Sequence, residues 1–344
     1  MVQIMSDIFN RLLILRTPGI GPAKFNALIQ KFGSLDDVVA ALCPTEQLRD
    51  AVSDEMARAT EQHIYYISDT DDLYPRHLRA TKNHPPVLTV RGNLDILTRD
   101  MVSIVGTRHA TAAGMELVAD IAQRFAENNT VVVSGMAIGT DTAAHRGALR
   151  AAPGAGTIAV LAGGVDYIWP LENESLYWDI VARGAVISEM PVGFTPIATN
   201  FVQRNRIVAG LSRRLILGEA DIKSGSMTTA RFAHELNREI WAIPSHPSDL
   251  RAFGPNSLIQ SGVARLCMGA NDFFDAFHPE TNQKKNSKKI DTENNLIDAI
   301  GTIPVSESVL AEIVKKSISE IKSELVILEL GGLVRKIDGG YVRA

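Results

Sequence analysis

Cysteine is nearly absent from this chain of 344 residues: Cys43 and Cys267 stand far apart, without metal-ligand spacing around either. A disulfide framework and a cysteine-based zinc site are thereby excluded, and a reducing compartment fits best. Long hydrophobic runs are missing too, since none approaches the roughly 18 residues needed to span a bilayer. The opening stretch MVQIMSDIFNRLL lacks the basic head and small-residue cleavage site of a signal peptide. Cytoplasmic location, with no membrane partner, is the expectation. Nor is there an excess of positive charge: 35 basic against 39 acidic residues give a formal net charge of −4. Binding to nucleic acid therefore needs a local patch rather than a global pull. What is present is a packing composition, 45% hydrophobic and 22% charged. At this length it predicts two or three domains.

Composition divides the chain into five parts. Residues 1–70 alternate turns with apolar helical stretches at Ile8 to Leu15, Ala23 to Phe32 and Leu35 to Leu42. Residues 71–99 read as a Pro-rich connector around the apolar pair Val87 and Leu88. Residues 100–277 repeat short Val/Ile runs (MVSIVG, TVVVSG, TIAVLAGG, AVISE, RLILGEA, EIWAIPS), each followed by a helical segment. Near-continuous apolar strands alternating with helices predict a doubly wound, mostly parallel Rossmann-like sheet. Residues 278–294 are polar and charged and read as a flexible linker. Residues 295–344 return to helical periodicity and end in a Gly-rich hairpin.

In such a sheet, ligands bind beyond the carboxyl ends of the strands. The loops there carry Gly106-Thr107-Arg108, Ser134-Gly135 with Gly139, Gly163-Gly164, Ser188-Glu189, and Lys223-Ser224-Gly225-Ser226. Glycine lets backbone amides approach an anion, and each following helix N-terminus adds unpaired N–H groups. Residues 100–277 hold 14 basic residues against 17 acidic ones, and Lys223 is the one lysine among them. Arg108, at the end of the first run, and the Arg204-Asn205-Arg206 block supply guanidinium forks suited to phosphates. Arg206 has a strong alternative, pairing with surface carboxylates.

Catalytic and metal signatures do not assemble. Asp141 and His145 lie four apart, but no third ligand has metal spacing. Helix capping by Thr140 or Asp141, with His145 packing a turn later, accounts for them. Ser134 lacks a nucleophile elbow. Gly154-Ala155-Gly156-Thr157-Ile158-Ala159 mimics a dinucleotide fingerprint but precedes its strand instead of following it. At the N-terminus, Thr17-Pro18-Gly19-Ile20-Gly21-Pro22-Ala23-Lys24 resembles a helix-hairpin-helix turn. Holding a DNA phosphate and simply packing two helices explain it equally well. The C-terminal segment resembles a winged helix, but its six cations (Lys315, Lys316, Lys322, Arg335, Lys336, Arg343) are balanced by acids. A protein-contact role suits it better than tight duplex binding.

The ordered series IVGTR, VVSGMAIGTDTAAHRGAL, TIAVLAGGVDYIWPLEN, ISEMPVG, FVQRNRIVAGLS, GEADIKSGSMTTARFAHELNREIWAIP and GPNSLIQSGVA resembles the DprA/Smf family. Upstream, YPRHLRATKNHPPVLTVRGN matches the segment leading into that domain. The resemblance implies an extended Rossmann-like fold, flanked by a small N-terminal SAM/helix-hairpin-helix-like domain and a C-terminal winged-helix-like domain. It implies single-stranded DNA binding, a homodimer, and loading of RecA recombinase onto strands coated by single-strand-binding protein during natural transformation. Catalytic residues, metal and cofactor are not implied. The family pattern places the DNA pocket at Gly106, Thr107, Arg108, Ser134, Gly135, Gly139, Arg204, Asn205, Arg206, Lys223, Ser224, Gly225 and Ser226. Two departures stand out: Thr107 where serine is common, and Pro244-Ser245-His246 in place of Pro-Gly-Ser. The rival reading is a nucleotide-binding or nucleoside-monophosphate-cleaving enzyme of the lysine-decarboxylase-like Rossmann group. That group carries a glutamate which SGSMTTARFA lacks. Leu258 to Met268 is the candidate dimer surface.

Overall fold

The computed structural model describes residues 2–151, 156–275, 296–301 and 304–343, and the segment read as a linker lies outside them, as do Gly154 and Ala155. The chain forms two compact units, Met1–Phe277 and His278–Ala344. The first opens with four helices: α1 (Val2–Arg16), α2 (Pro22–Phe32), α3 (Leu35–Leu42) and α4 (Glu46–Glu61). Their inward residues, among them Leu12, Leu13, Phe25, Val38 and Val52, share one apolar cluster. The fourth helix escaped the sequence reading because seven of its sixteen residues are charged, with only a narrow stripe (Leu48, Val52, Met56, Ala59) to mark it.

Nine strands then build one sheet, in the order β1-β2-β6-β5-β4-β3-β7-β8-β9. After β1 (Ile64–Ser68), short α5 (Arg76–Arg79) and β2 (Val87–Gly92) come β3 (Met101–Val105), α6 (Ala112–Glu127), β4 (Val131–Ser134) and α7 (Thr140–Arg150). The chain continues through β5 (Thr157–Val160), α8 (Glu174–Arg183), β6 (Ala185–Ser188), α9 (Ala198–Leu211), β7 (Arg214–Leu217), α10 (Gly225–Glu235) and β8 (Glu239–Ala242). It closes with α11 (Phe253–Gln260), β9 (Arg265–Leu266) and α12 (Asn271–Asp275). From β3 to β9 every pairing is parallel except β2 on β6 and β1 on β2, which are antiparallel. All six Val/Ile runs are strands, and β3 to β6 are buried along their whole length. The supposed connector is not merely a linker: Val87 and Leu88 begin β2, hydrogen-bonded between β1 and β6.

Strand order reverses at β3, which lies between β4 and β7. A crevice is therefore expected where the loops after β3, β4 and β7 part. Polar caps fix where the flanking helices start. Thr111 accepts from Gly114 N at the head of α6, and Ser224 accepts from Met227 N at the head of α10.

The second unit holds a short turn at Leu296–Ala299, α13 (Glu307–Val314), α14 (Ile318–Leu330), and an antiparallel hairpin of β10 (Val334–Ile337) and β11 (Gly340–Arg343). Ser317 and Glu320 form a reciprocal capping box on α14. Leu310, Val314, Ile321, Leu325, Val334 and Tyr341 fill its small core. Two helices and a C-terminal hairpin in this order make a winged helix.

Candidate nucleic-acid interface

The loops after β3, β4, β5 and β7, with the first turns of α9 and α10, enclose a cleft of about 540 Å3. Nine of the thirteen residues singled out in the sequence line it: Gly106, Thr107, Arg108, Gly135, Arg204, Asn205, Ser224, Gly225 and Ser226. The first loop is held rigidly. Thr107 N donates to Glu219 O, His109 N donates to Thr107 Oγ1, and Thr140 donates to Thr107 O through both its amide and its hydroxyl. Across the cleft, Ser224 Oγ lies 2.8 Å from Ser226 Oγ, and Asn205 Nδ2 donates to Gly225 O. The first N–H groups of α10 head the helix here, where its dipole favours an anion.

Arg204 is the buried keystone. Its guanidinium donates to Gly135 O at 2.7 Å and also to Val160 O, tying the end of β4 to the end of β5. Burial brings Arg204 down to about 10, against the opposing pull of Asp141, so it stays charged at neutral pH. A Cβ at Gly135 would sit 2.8 Å from the guanidinium carbon, so any larger residue there would have to push Arg204 out of this position. Asp141 Oδ2 accepts from Gly135 N and Ala137 N, so it organises the loop rather than capping the helix, which starts at Thr140 behind Gly139. Gly139 has φ of 80°, a conformation L side chains rarely adopt. Burial raises the Asp141 carboxyl above its usual range, with Arg204 acting against that shift.

His145 packs fully inside, one turn on, with Nδ1 2.8 Å from Thr157 Oγ1. Burial, aided by Arg204, pushes its imidazole down to about 3 from 6.5. Because the folded value is the lower one, the unfolded chain takes up the proton first as pH falls. The stability this group contributes is complete above about 6.5 and is lost progressively towards pH 3. At about pH 5 the loss should reach about 2 kcal/mol. Urea midpoints at neutral pH and at about pH 5 should therefore diverge less in His145→Gln than in the native chain. Equal divergence in both would refute the assignment.

Four sequence-selected residues lie elsewhere. Ser134 is buried and donates to Ile104 O. Gly139 underlies the first loop, where a Cβ would strike Thr107 O and Arg108 O. Lys223 is exposed on the turn before α10 and does not line the cleft. Arg206 contradicts its expected place: it points away, pairing with Glu189 and donating to Asn83 O. Successive helix positions diverge by about 100°, so Arg204 and Arg206 could not share a face.

The structure adds an aromatic wall that sequence reasoning missed. Trp169, after β5, packs edge-on to Phe201 of α9 with ring centroids 4.6 Å apart. The Arg108 guanidinium lies 5.1 Å from the Trp169 ring centre. Guanidinium, indole and phenyl thus share the lining of one cleft with the hydroxyls of Ser224 and Ser226. Such a surface can stack planar bases and bind phosphates.

Known proteins match this chain along its length. A family model described as DNA recombination-mediator protein A matches residues 65–278. A DprA-like N-terminal HHH domain matches residues 5–64, and a DprA winged helix domain matches residues 280–340. The DNA processing protein DprA of Streptococcus pneumoniae is 40% identical over 207 residues, covering 60% of this chain and 72% of the relative. Protein Smf of Escherichia coli is 30% identical over 307 residues, covering 86% and 81%. Protein Smf of Synechocystis sp. is 39% identical, and the chain spans only about half of that relative's length, 52%. Among solved structures, DprA of Streptococcus pneumoniae superposes with a TM-score of 0.66 at 32% identity, covering 77% of this chain and 96% of that one. The DNA processing protein A of Helicobacter pylori, described for its single-stranded DNA binding mode, gives a TM-score of 0.57 at 29% identity, covering 63% and 96%.

Proposed function

The chain belongs to the DprA/Smf family of DNA recombination-mediator proteins, and from that premise we propose that its cleft grips single-stranded DNA in order to load RecA recombinase. The observation that carries this reading is the Arg108–Trp169–Phe201 wall in a cleft that the head of α10 also lines. Stacking on aromatic rings is sequence-tolerant because every base has a π face. The first N–H groups of α10 and the hydroxyls of Ser224 and Ser226 meet the sugar–phosphate backbone, while Lys223 adds charge at the rim. A cleft built for one strand disfavours duplex DNA. Delivery to RecA on strands bearing single-strand-binding protein, a homodimeric assembly and a cytoplasmic setting complete the proposal.

The role is non-catalytic in this reading. Among the described residues lining the cleft, Asp141 is the one carboxylate, and two loop amides already occupy it. Fluorescence anisotropy of labelled oligo-dT, with duplex and AMP as competitors, tests the proposal. Salt-sensitive binding displaced by single strands and by neither competitor is the expected result. AMP consumed or displacing the strand would replace it with the nucleotide-enzyme reading. Arg108→Ala should flatten the dependence of log K on log salt by about one counterion, and an unchanged slope would remove Arg108 from the phosphate contacts.

A further inference from the structure

On the other side of α9 lies a second groove, of about 710 Å3, that the cleft does not use. The turn between α1 and α2 walls one side, and the loop after β6 with the entry to β2 walls the other. Val202 and Asn205 line the cleft, whereas Gln203 and Arg206 line this groove. A single helix, about 10 Å wide with its side chains, therefore separates the two. Both open at the same edge of the sheet, because β2 runs antiparallel to β6 and so begins where β6 ends.

The groove's charges are three cations, Arg16, Lys24 and Arg206, against one carboxylate, Glu189. Glu189 is engaged by Arg206, and Arg16 is held by Glu55 through two hydrogen bonds of 2.8 and 2.7 Å. Lys24 is exposed on the first turn of α2, whose N-cap Gly21 offers no side-chain cap. Pro18, Ile20, Met190 and Pro191 supply apolar wall between these charges. Lys24 is thus the one cation of the described lining not already held by a carboxylate, and it stands beside an apolar wall. A nucleic-acid strand offers a phosphate to the first and flat base faces to the second.

We propose that this groove is a second subsite for the same strand, receiving the nucleotides that pass over α9 from the cleft, with a backbone phosphate at Lys24. The inference rests on the single-strand reading of the cleft, and the experiment separates the two. Affinities of the full chain are measured for oligo-dT of about 5 and about 15 nucleotides, lengths within the span of known single-strand sites. Lys24→Glu should weaken the longer strand about tenfold or more, the scale of one lost charged contact, and leave the shorter one unchanged. Trp169→Ala should weaken both. Gln203→Glu, from the opposite wall, should repeat the length-selective loss. Equal affinity of the longer strand for native and Lys24→Glu protein, with Trp169→Ala still defective, would overturn the second subsite alone. Failure of the native chain to bind either strand would overturn the cleft reading and this one with it.

Discussion

Arg204→Met should cost the folded protein about 3–5 kcal/mol, the penalty for removing one partner of a buried charged pair. Three losses coincide. Asp141 keeps a buried carboxyl without its nearest cation, and the carbonyls of Gly135 and Val160 lose their donor. The ends of β4 and β5 also lose the clasp that holds them in register with α9. Total stabilities run to only about 5–15 kcal/mol, so a shift of this size should be plain in urea unfolding midpoints. Asp141→Asn added to Arg204→Met should recover part of the loss, because it removes the stranded charge. A midpoint for Arg204→Met matching the native one would refute the structural clasp.

Trp169→Ala should weaken binding of short oligo-dT by about 1–3 kcal/mol, or roughly 5- to 150-fold, the measured range for one stacked base. Trp169 is the central ring of the wall, meeting Phe201 on one side and the Arg108 guanidinium on the other. Its removal both deletes a stacking face and unseats the arginine. Trp169→Phe should retain an intermediate affinity. The chain has three tryptophans, and of these Trp169 alone lines the cleft. Quenching of intrinsic fluorescence on adding oligo-dT should therefore largely vanish in Trp169→Phe. Quenching that persists undiminished would place the bases elsewhere.

Most of the parallel part of the sheet was legible because its strands from β3 to β7 are short runs of apolar residues with a glycine-bearing turn behind them. Nine of the cleft residues were legible for the same reason, since strand-end loops can be located once the strands are. The aromatic wall was not. Trp169 and Phe201 come from different connections, and only the closing of α9 over the sheet brings their rings together. Of the Arg204-Asn205-Arg206 block, Arg206 takes the alternative noted for it, pairing with the carboxylate of Glu189. Both antiparallel strands were missed: IYYIS is only five residues long, and Pro85-Pro86 made Val87 and Leu88 look like part of a spacer.

Those two antiparallel strands bear on how the molecule could be divided. The match to the N-terminal helical domain stops at residue 64, just where β1 begins. Cutting there would sever the helices from a strand whose first residue is buried and which packs beside α4. Cutting after Ser68 instead would strip the backbone partners from Val87 to Arg91 and leave β2, with four consecutive buried residues, as a bare margin of the sheet. An uncovered margin of that kind recruits strands from other molecules. β1, backed by α4, thus serves as selvedge to the sheet: it finishes an edge that would otherwise fray into aggregation.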